Sequence, residues 1–183
     1  MASIKTAVVI LNWNGEGFLK QFLPGVIQHS LGANVIVADN ASTDNSIAYL
    51  QSLGNAVKII QLDKNYGFTG GYNKALKQID AEYFVLLNSD VEVTAEWIDP
   101  IIDLMEGNKS VGICQPKIKA FHQPSHFEYA GASGGFIDSM GYPFCRGRLF
   151  NHLEEDKGQY NNNLEVFWAT GACMFIRADF YHQ

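Results

Sequence analysis

The chain has 183 residues, 47% of them apolar, and a formal net charge of −6 at pH 7. That length suits one domain with a sizeable core, and the apolar share is ordinary for a globular protein. An acidic balance without a long Lys/Arg cluster argues against nucleic acid as a partner. Cys114, Cys145 and Cys173 are widely spaced and form no Cys-x-x-Cys pair, which points to reduced thiols in a cytoplasmic protein. Met1 to Thr6 has no charged segment leading into a long apolar stretch, so no secretory signal is read there. No apolar run approaches the roughly 20 residues needed to cross a bilayer, so no transmembrane segment is expected. Peripheral contact with the inner face of a membrane, or with a lipid-linked substrate, stays open.

The first 120 residues alternate between two periodicities. Ala7 to Leu11 reads as a buried strand. Phe18, Leu19, Phe22, Leu23, Val26 and Ile27 recur at helical spacing, with Pro24-Gly25 placed to kink or divide the helix. Val35 to Ala38 is a second strand, and Ser42-Thr43-Asp44 offers caps for a helix ending near Gly54. Val57 to Leu62 is a third strand, and Gly70-Gly71 opens a helix running to about Ile79. Tyr83 to Leu87 is a fourth strand. Thr94 is expected to cap a helix with Trp97, Ile98, Ile101, Ile102 and Met105 on one face, followed by a strand over Val111 to Cys114. This alternation implies right-handed βαβ units, hence an α/β fold with a mostly parallel sheet flanked by helices. After about residue 116 glycines and aromatics replace the pattern. Short strands are expected over Phe127 to Ala130, Glu165 to Ala169 and Ala172 to Ile176, folding onto the same sheet.

Polar clusters follow the strands, and open α/β sheets bind ligands beyond the carboxyl ends of their strands. Asn88-Ser89-Asp90-Val91-Glu92 carries oxygen ligands suited to Mg²⁺ or Mn²⁺. Asp90 is the first candidate, and Glu92 shares its side if the segment stays extended; a turn-capping Asp90 is the structural alternative. Asp39 is placed to accept hydrogen bonds from a base or a ribose, while Ser42 or Thr43 caps the next helix. Trp13 either stacks on a base or fills the core. Asn65 to Lys74 combines glycines, aromatics and amides at a helix start, where backbone N–H groups favour anions. Gly15-Glu16-Gly17 with Asp39 is half of a dinucleotide fingerprint, but Lys20 stands where the third glycine belongs. The histidines form no compact zinc signature, and Glu154-Glu155-Asp156 reads as a solvated loop.

Together these segments resemble the family-2 nucleotide-sugar glycosyltransferases, in particular a bacterial rhamnosyltransferase-like branch. The resemblance rests on Val8 to Gly15, Val37 to Asp44, Asn65 to Asn73, Leu86 to Asp90 and Trp168 to Cys173, in that order. It implies a GT-A fold and inverting transfer of a sugar from a nucleotide diphosphate, UDP or dTDP, to a hydroxyl of a glycan or lipid-linked glycan in cell-surface polysaccharide synthesis. By the resemblance Leu11, Asn12, Trp13, Asp39, Asn65, Gly67, Gly71, Asn73, Asn88, Ser89 and Asp90 border the donor. Asp39 reads the base, and Asp90 alone holds the divalent metal. Trp168, Gly171 and Ala172 lie on the acceptor side. The same resemblance divides one domain over 1–183 into a nucleotide-sugar-binding half, 1–116, and the start of an acceptor-binding half, 117–183. It also places the general base beyond Gln183, so this chain is expected to bind donor and transfer poorly; Asp138 and Glu155 are the residues that would otherwise serve as base. Two readings stand beside it: an NAD-dependent oxidoreductase, from Gly15-x-Gly17 and Asp39, and a non-catalytic nucleotide-sugar-binding module. A sugar nucleotidyltransferase is disfavoured, because no Gly-rich loop with Arg and Lys follows the first strand.

Overall fold

A computed structural model describes residues 4–129 and 131–183. A six-stranded sheet forms the centre, in the order β3-β2-β1-β4-β12-β5. Its strands are β1 (Ile4–Asn12), β2 (Asn34–Asp39), β3 (Lys58–Gln61), β4 (Ala81–Asn88), β5 (Ile113–Cys114) and β12 (Cys173–Arg177). β1, β2, β3 and β4 run parallel, while β12 is antiparallel to both β4 and β5. Helices α1 (Glu16–His29), α2 (Ser46–Ser52), α3 (Gly67–Leu76), α4 (Asp99–Gly107) and α5 (Ala178–Tyr181) complete the layers. The mainly parallel α/β architecture is the one that the strand–helix alternation predicts. The chain leaves β3 and returns on the far side of β1, so the topological switch falls between β1 and β4.

Alternation along β1 divides the core. Val8 and Ile10 pack with Leu19, Leu23 and Val26 of α1 and with Ile102 and Met105 of α4. Ala7 and Val9 face the other way, with Tyr72, Ala75 and Leu76 of α3. Pro24 lies inside α1 without dividing it. Arg177, on β12, fastens the end of α4: Nη2 donates to Met105 O at 2.5 Å, and Nη1 donates to the Tyr83 hydroxyl at 2.7 Å. A cation at a helix C-terminus satisfies carbonyls that the helix itself leaves unpaired.

Several boundaries differ from the expected ones. α4 begins at Asp99 rather than after Thr94, with Pro100 in its first turn, where a missing N–H costs nothing. α3 begins at Gly67, earlier than Gly70, because Asn65 Oδ1 accepts the Gly67 N–H at 2.7 Å. The Ser46 N–H of α2 is capped by Asp44 Oδ1 at 3.0 Å, whereas Ser42 and Thr43 serve other partners. β5 is shorter than Val111 to Cys114.

The second half holds the small antiparallel pairs β6 (Lys119–Ala120) with β7 (Gln123–Phe127), β8 (Gly135–Ile137) with β9 (Pro143–Cys145), and β10 (Arg148–Leu149) with β11 (His152–Leu153). The expected strand at Phe127 to Ala130 is displaced to β7; Ala130 lies outside the described residues. Glu165 to Ala169 forms no strand. Trp168 makes a single bridge to Gly135, its Nε1–H donates to Phe136 O at 3.2 Å, and its ring fills the space a Cβ on Gly135 would take. Nor is Asp156 solvated: its side chain is 6% exposed and pairs with Lys117 at 2.9 Å and Lys119 at 3.1 Å. The Lys117 ammonium first, then the Gly158 N–H, with Lys119 adding, hold its carboxyl down at about 2. Cys114, Cys145 and Cys173 are free thiols, and burial pushes the Cys173 thiol up to about 12. No helix among the described residues is long and apolar enough to cross a membrane.

Candidate functional site

The carboxyl ends of β1, β2, β3 and β4 open into one cleft of about 450 Å³. β1 contributes Leu11 and Trp13, and the segment after β2 contributes Asn40. The β3–α3 loop supplies Asn65, Gly67 and Phe68, and the end of β4 supplies Asn88, Ser89 and Asp90. Leu11 pairs in register with Asn88 across the switch point, which sets the first and last of these contributions side by side.

Trp13 is 57% exposed and Phe68 is 52% exposed, so two aromatic surfaces line the cleft instead of filling the core. Such faces suit stacking against a planar ring or packing against a sugar. Asp90 is exposed at the cleft, while Asn88 and Ser89 are half-buried. The Val91 N–H closes a turn onto Asn88 O at 3.4 Å, so the segment is not extended. The alternating parity that would align Glu92 with Asp90 is therefore lost, and Glu92 does not line the cleft.

Asp39 and Asn12 lie beneath the cleft rather than on its surface. Asp39 is 2% exposed. Its Oδ2 accepts from Asn12 Nδ2 at 2.9 Å and from the Ser42 hydroxyl at 2.6 Å, and its Oδ1 accepts from the Ser42 N–H at 2.9 Å. The carboxylate thus ties β1 to the segment after β2. Asn12 Oδ1 is buried without a hydrogen-bond partner among the described residues, and a Cβ on Gly15 would lie 2.4 Å from it. That contact accounts for Gly15 without a dinucleotide, and Lys20 is exposed and paired with Glu16 at 2.7 Å.

Asn40 stands out in the structure more than in the sequence. Its Nδ2 donates to Asn65 Oδ1 at 2.9 Å and to Gly67 O at 3.1 Å, and its Oδ1 accepts the Tyr66 N–H at 2.9 Å. One buried amide therefore fixes the loop carrying Asn65, Gly67 and Phe68. Its neighbour Ala41 sits at φ +62°, a conformation costly for a residue with a Cβ. Gly71 belongs to the same floor: a Cβ there would meet Leu11 Cδ1 at 2.7 Å and Asn40 Nδ2 at 3.1 Å. Asn73 is turned elsewhere, with its Oδ1 accepting from the Tyr181 hydroxyl at 2.8 Å.

Of the acceptor-side candidates, none lines the cleft itself, but Gly171 and Ala172 touch residues that do. The Asn88 N–H donates to Ala172 O at 2.9 Å, and Gly171 lies against the Phe68 ring. Asp138 is spent on its own turn, where its Oδ1 accepts the Met140 and Tyr142 N–H groups. Glu155 pairs with Lys157 at 3.1 Å. Neither lines the cleft.

Residues 7–183 match the model of Glycosyl transferase family 2. The chain belongs to that family. Membership sets aside the oxidoreductase reading of Gly15-x-Gly17. The chain is 25% identical, over 96 residues, to a teichoic acid poly(glycerol phosphate) polymerase of Staphylococcus epidermidis. That match covers 50% of this chain and 13% of the polymerase. Among solved structures it is similar to S. aureus TarS 1-349 in complex with UDP-GlcNAc, with TM-score 0.56, 24% identity, and coverage of 63% of this chain and 34% of that one. GalNAc-T7 with UDP, GalNAc and Mn²⁺ gives TM-score 0.68 and 13% identity over 99% of this chain and 36% of that one. The mannosyltransferase PcManGT from Pyrobaculum calidifontis, with GDP-Man and Mn²⁺, gives TM-score 0.52 and 17% identity over 67% of this chain and 39% of that one. At these identities the structural likeness is one of fold. The chain spans a little over a third of the length of these solved chains, and less of the polymerase.

Proposed function

We propose that the cleft binds a nucleotide-sugar donor and that the family-2 domain serves inverting glycosyl transfer in the assembly of a bacterial cell-surface polymer. One observation carries this reading: four strand ends deliver aromatic faces, amides and a single carboxylate to one cleft at the topological switch, in a chain of this family. The UDP-bound neighbours TarS and GalNAc-T7 support UDP or dTDP as the carrier over the GDP seen with PcManGT, and the polymerase likeness supports an acceptor hydroxyl on a glycan or lipid-linked glycan. Such an acceptor fits a cytoplasmic site at the inner face of the membrane.

A divalent metal, Mg²⁺ or Mn²⁺, fits the residues present only in one way. Among the described residues no group of three or more His, Cys, Asp or Glu side chains is placed to cage an ion. Mg²⁺-type ions are commonly held by one or two carboxylates together with substrate phosphates and water. Asp90 is the carboxylate that lines the cleft, so it would hold the ion against the diphosphate. When bound there, such an ion would neutralise charge developing on the leaving diphosphate. Trp13 and Phe68 offer apolar faces to base or sugar, and Asn40 holds the loop that presents Asn65, Gly67 and Phe68. Asp39 preserves the floor, and so acts on the base through Asn12 and Ser42 rather than by direct contact.

With Asp90 committed to the metal, no second carboxylate among the cleft-lining residues is free to deprotonate an acceptor. Donor binding and base catalysis are therefore separable here, and binding without efficient transfer is the expected behaviour. Calorimetric titration with UDP, dTDP and GDP, with and without Mn²⁺ and with NAD as control, tests the reading. Metal-enhanced binding of one diphosphate is expected; NAD binding without metal, or no diphosphate binding, overturns it.

A further inference from the structure

Phe68 is held between two unlike neighbours. On one side its ring meets Tyr72 edge-on, with centroids 5.0 Å apart. Tyr72 is 3% exposed, and its hydroxyl donates to Leu87 O at 3.1 Å. It is thus pinned to β4 and cannot retreat. On the other side is Gly171, in the segment that leads into β12. A Cβ added to Gly171 would lie 3.1 Å from Phe68 Cζ and 3.2 Å from Cε1, closer than ordinary van der Waals contact. Gly171 is not among the glycines with positive φ, so its backbone does not demand glycine. A side chain there would instead press on the ring, which would have to give by a few tenths of an ångström. The remaining direction open to Phe68 is the cleft, which it already lines.

We infer that Gly171 is a positioning residue for the donor cleft: by lacking a side chain it lets Phe68 lie back against the 170–172 segment, and so sets the width of the cleft. The inference rests on the donor-site reading and adds to it a steric link between the acceptor-side segment and the donor wall. A displacement of residues 170–172 toward the ring would press the half-exposed Phe68 away from Gly171 and toward the opening of the cleft that it lines. The same segment is bonded to the metal-side loop through the Ala172 carbonyl and the Asn88 N–H. Acceptor-side movement therefore reaches both walls of the cleft.

The test is a double-mutant cycle. Gly171→Ala and the bulkier Gly171→Val are made in the wild-type and in the Phe68→Leu background, with Phe68→Leu alone as the reference. Dissociation constants for UDP and dTDP with Mg²⁺ are measured beside aromatic ¹H–¹³C NMR of the ligand-free proteins. Gly171→Ala is expected to shift the Phe68 ring resonances and weaken binding, with Gly171→Val weakening it about tenfold or more. Phe68→Leu removes a face of the cleft and is itself expected to weaken binding, but in that background the further loss caused by Gly171→Ala is expected to be much smaller than in the wild type. A merely structural role for Gly171 would lower Tm and weaken binding by the same factor in the wild-type and Phe68→Leu backgrounds. That outcome, or ring resonances unmoved in Gly171→Ala, overturns the inference. Failure of the wild-type chain to bind either diphosphate overturns the donor reading instead, and the ring resonances still decide the steric link.

Discussion

The two ends of the central sheet make the clearest comparison in the molecule. At the amino end, Ser30 to Ile36 and Asn55 to Lys58 surround a concavity of about 620 Å³, larger than the cleft of about 450 Å³ at the carboxyl end. Volume alone would favour the amino end. Its walls, however, are mostly small and apolar residues with backbone groups, and Lys58 is the one ionisable side chain lining it. The carboxyl end gathers two half-exposed aromatics, a carboxylate and several amides from four separate strand ends. Parallel βαβ topology produces that difference, because each strand hands over to its loop at the same edge. Convergence of chemistry, rather than volume, is the ground on which the carboxyl end is proposed as the donor site.

The largest effect that would sharpen the contrast is at Asp90. Asp90→Ala should abolish the enhancement of nucleotide binding by Mn²⁺ while leaving metal-free affinity nearly unchanged. Titration with and without Mn²⁺ checks it, and an intact metal effect would remove Asp90 from the ligand set. Asp39→Ala should act differently. It removes the acceptor of the part-buried Ser42 hydroxyl and N–H and one of the two acceptors of the buried Asn12 Nδ2, and a buried donor left unpaired costs about 1–3 kcal/mol. Chemical denaturation should therefore show a stability loss, and nucleotide affinity should fall whether or not metal is present.

Asp156 offers a charge effect remote from either end. Its carboxyl is held at about 2, against an ordinary 3.8, first by the hydrogen bond from Lys117. A depressed folded value stabilises the fold above the unfolded pKa, and that stability is lost as pH falls from about 4 toward 2. Denaturation midpoints at pH 5 and pH 3 should differ less in Asp156→Asn than in the wild type, with nucleotide affinity at neutral pH unaltered. Ala41→Gly should raise stability slightly, by about 1 kcal/mol or less, since the backbone there is left-handed. Thermal unfolding would reveal it. Lys58→Ala, at the amino end, should leave nucleotide affinity unchanged; a clear loss there would break the contrast between the two ends.

The strands of the parallel half were legible because buried runs such as Val8 to Leu11 and Tyr83 to Leu87 repeat between helical patterns. The cleft segments were legible because each follows such a run. What escaped the sequence depends on partners distant along the chain. Asn40 earns its role from Asn65, Tyr66 and Gly67, which no local pattern announces. Trp168 looked like part of a strand, yet Gly135 and the Phe136 carbonyl fix it in a single bridge. Asp156 sat in an acidic run that read as solvated, until Lys117 and Lys119 closed over it. Trp13 carries two readings locally, of which core packing is the preferred one, and the surrounding structure instead leaves it exposed.

The most direct test of the central claim is backbone amide NMR of the chain titrated with UDP and dTDP in the presence of Mg²⁺. The account predicts shift changes concentrated at residues 11–13, 65–68 and 88–90, with residues 30–34 and 55–58 unmoved. Changes centred on the amino-end concavity, or scattered without regard to the strand ends, would contradict it.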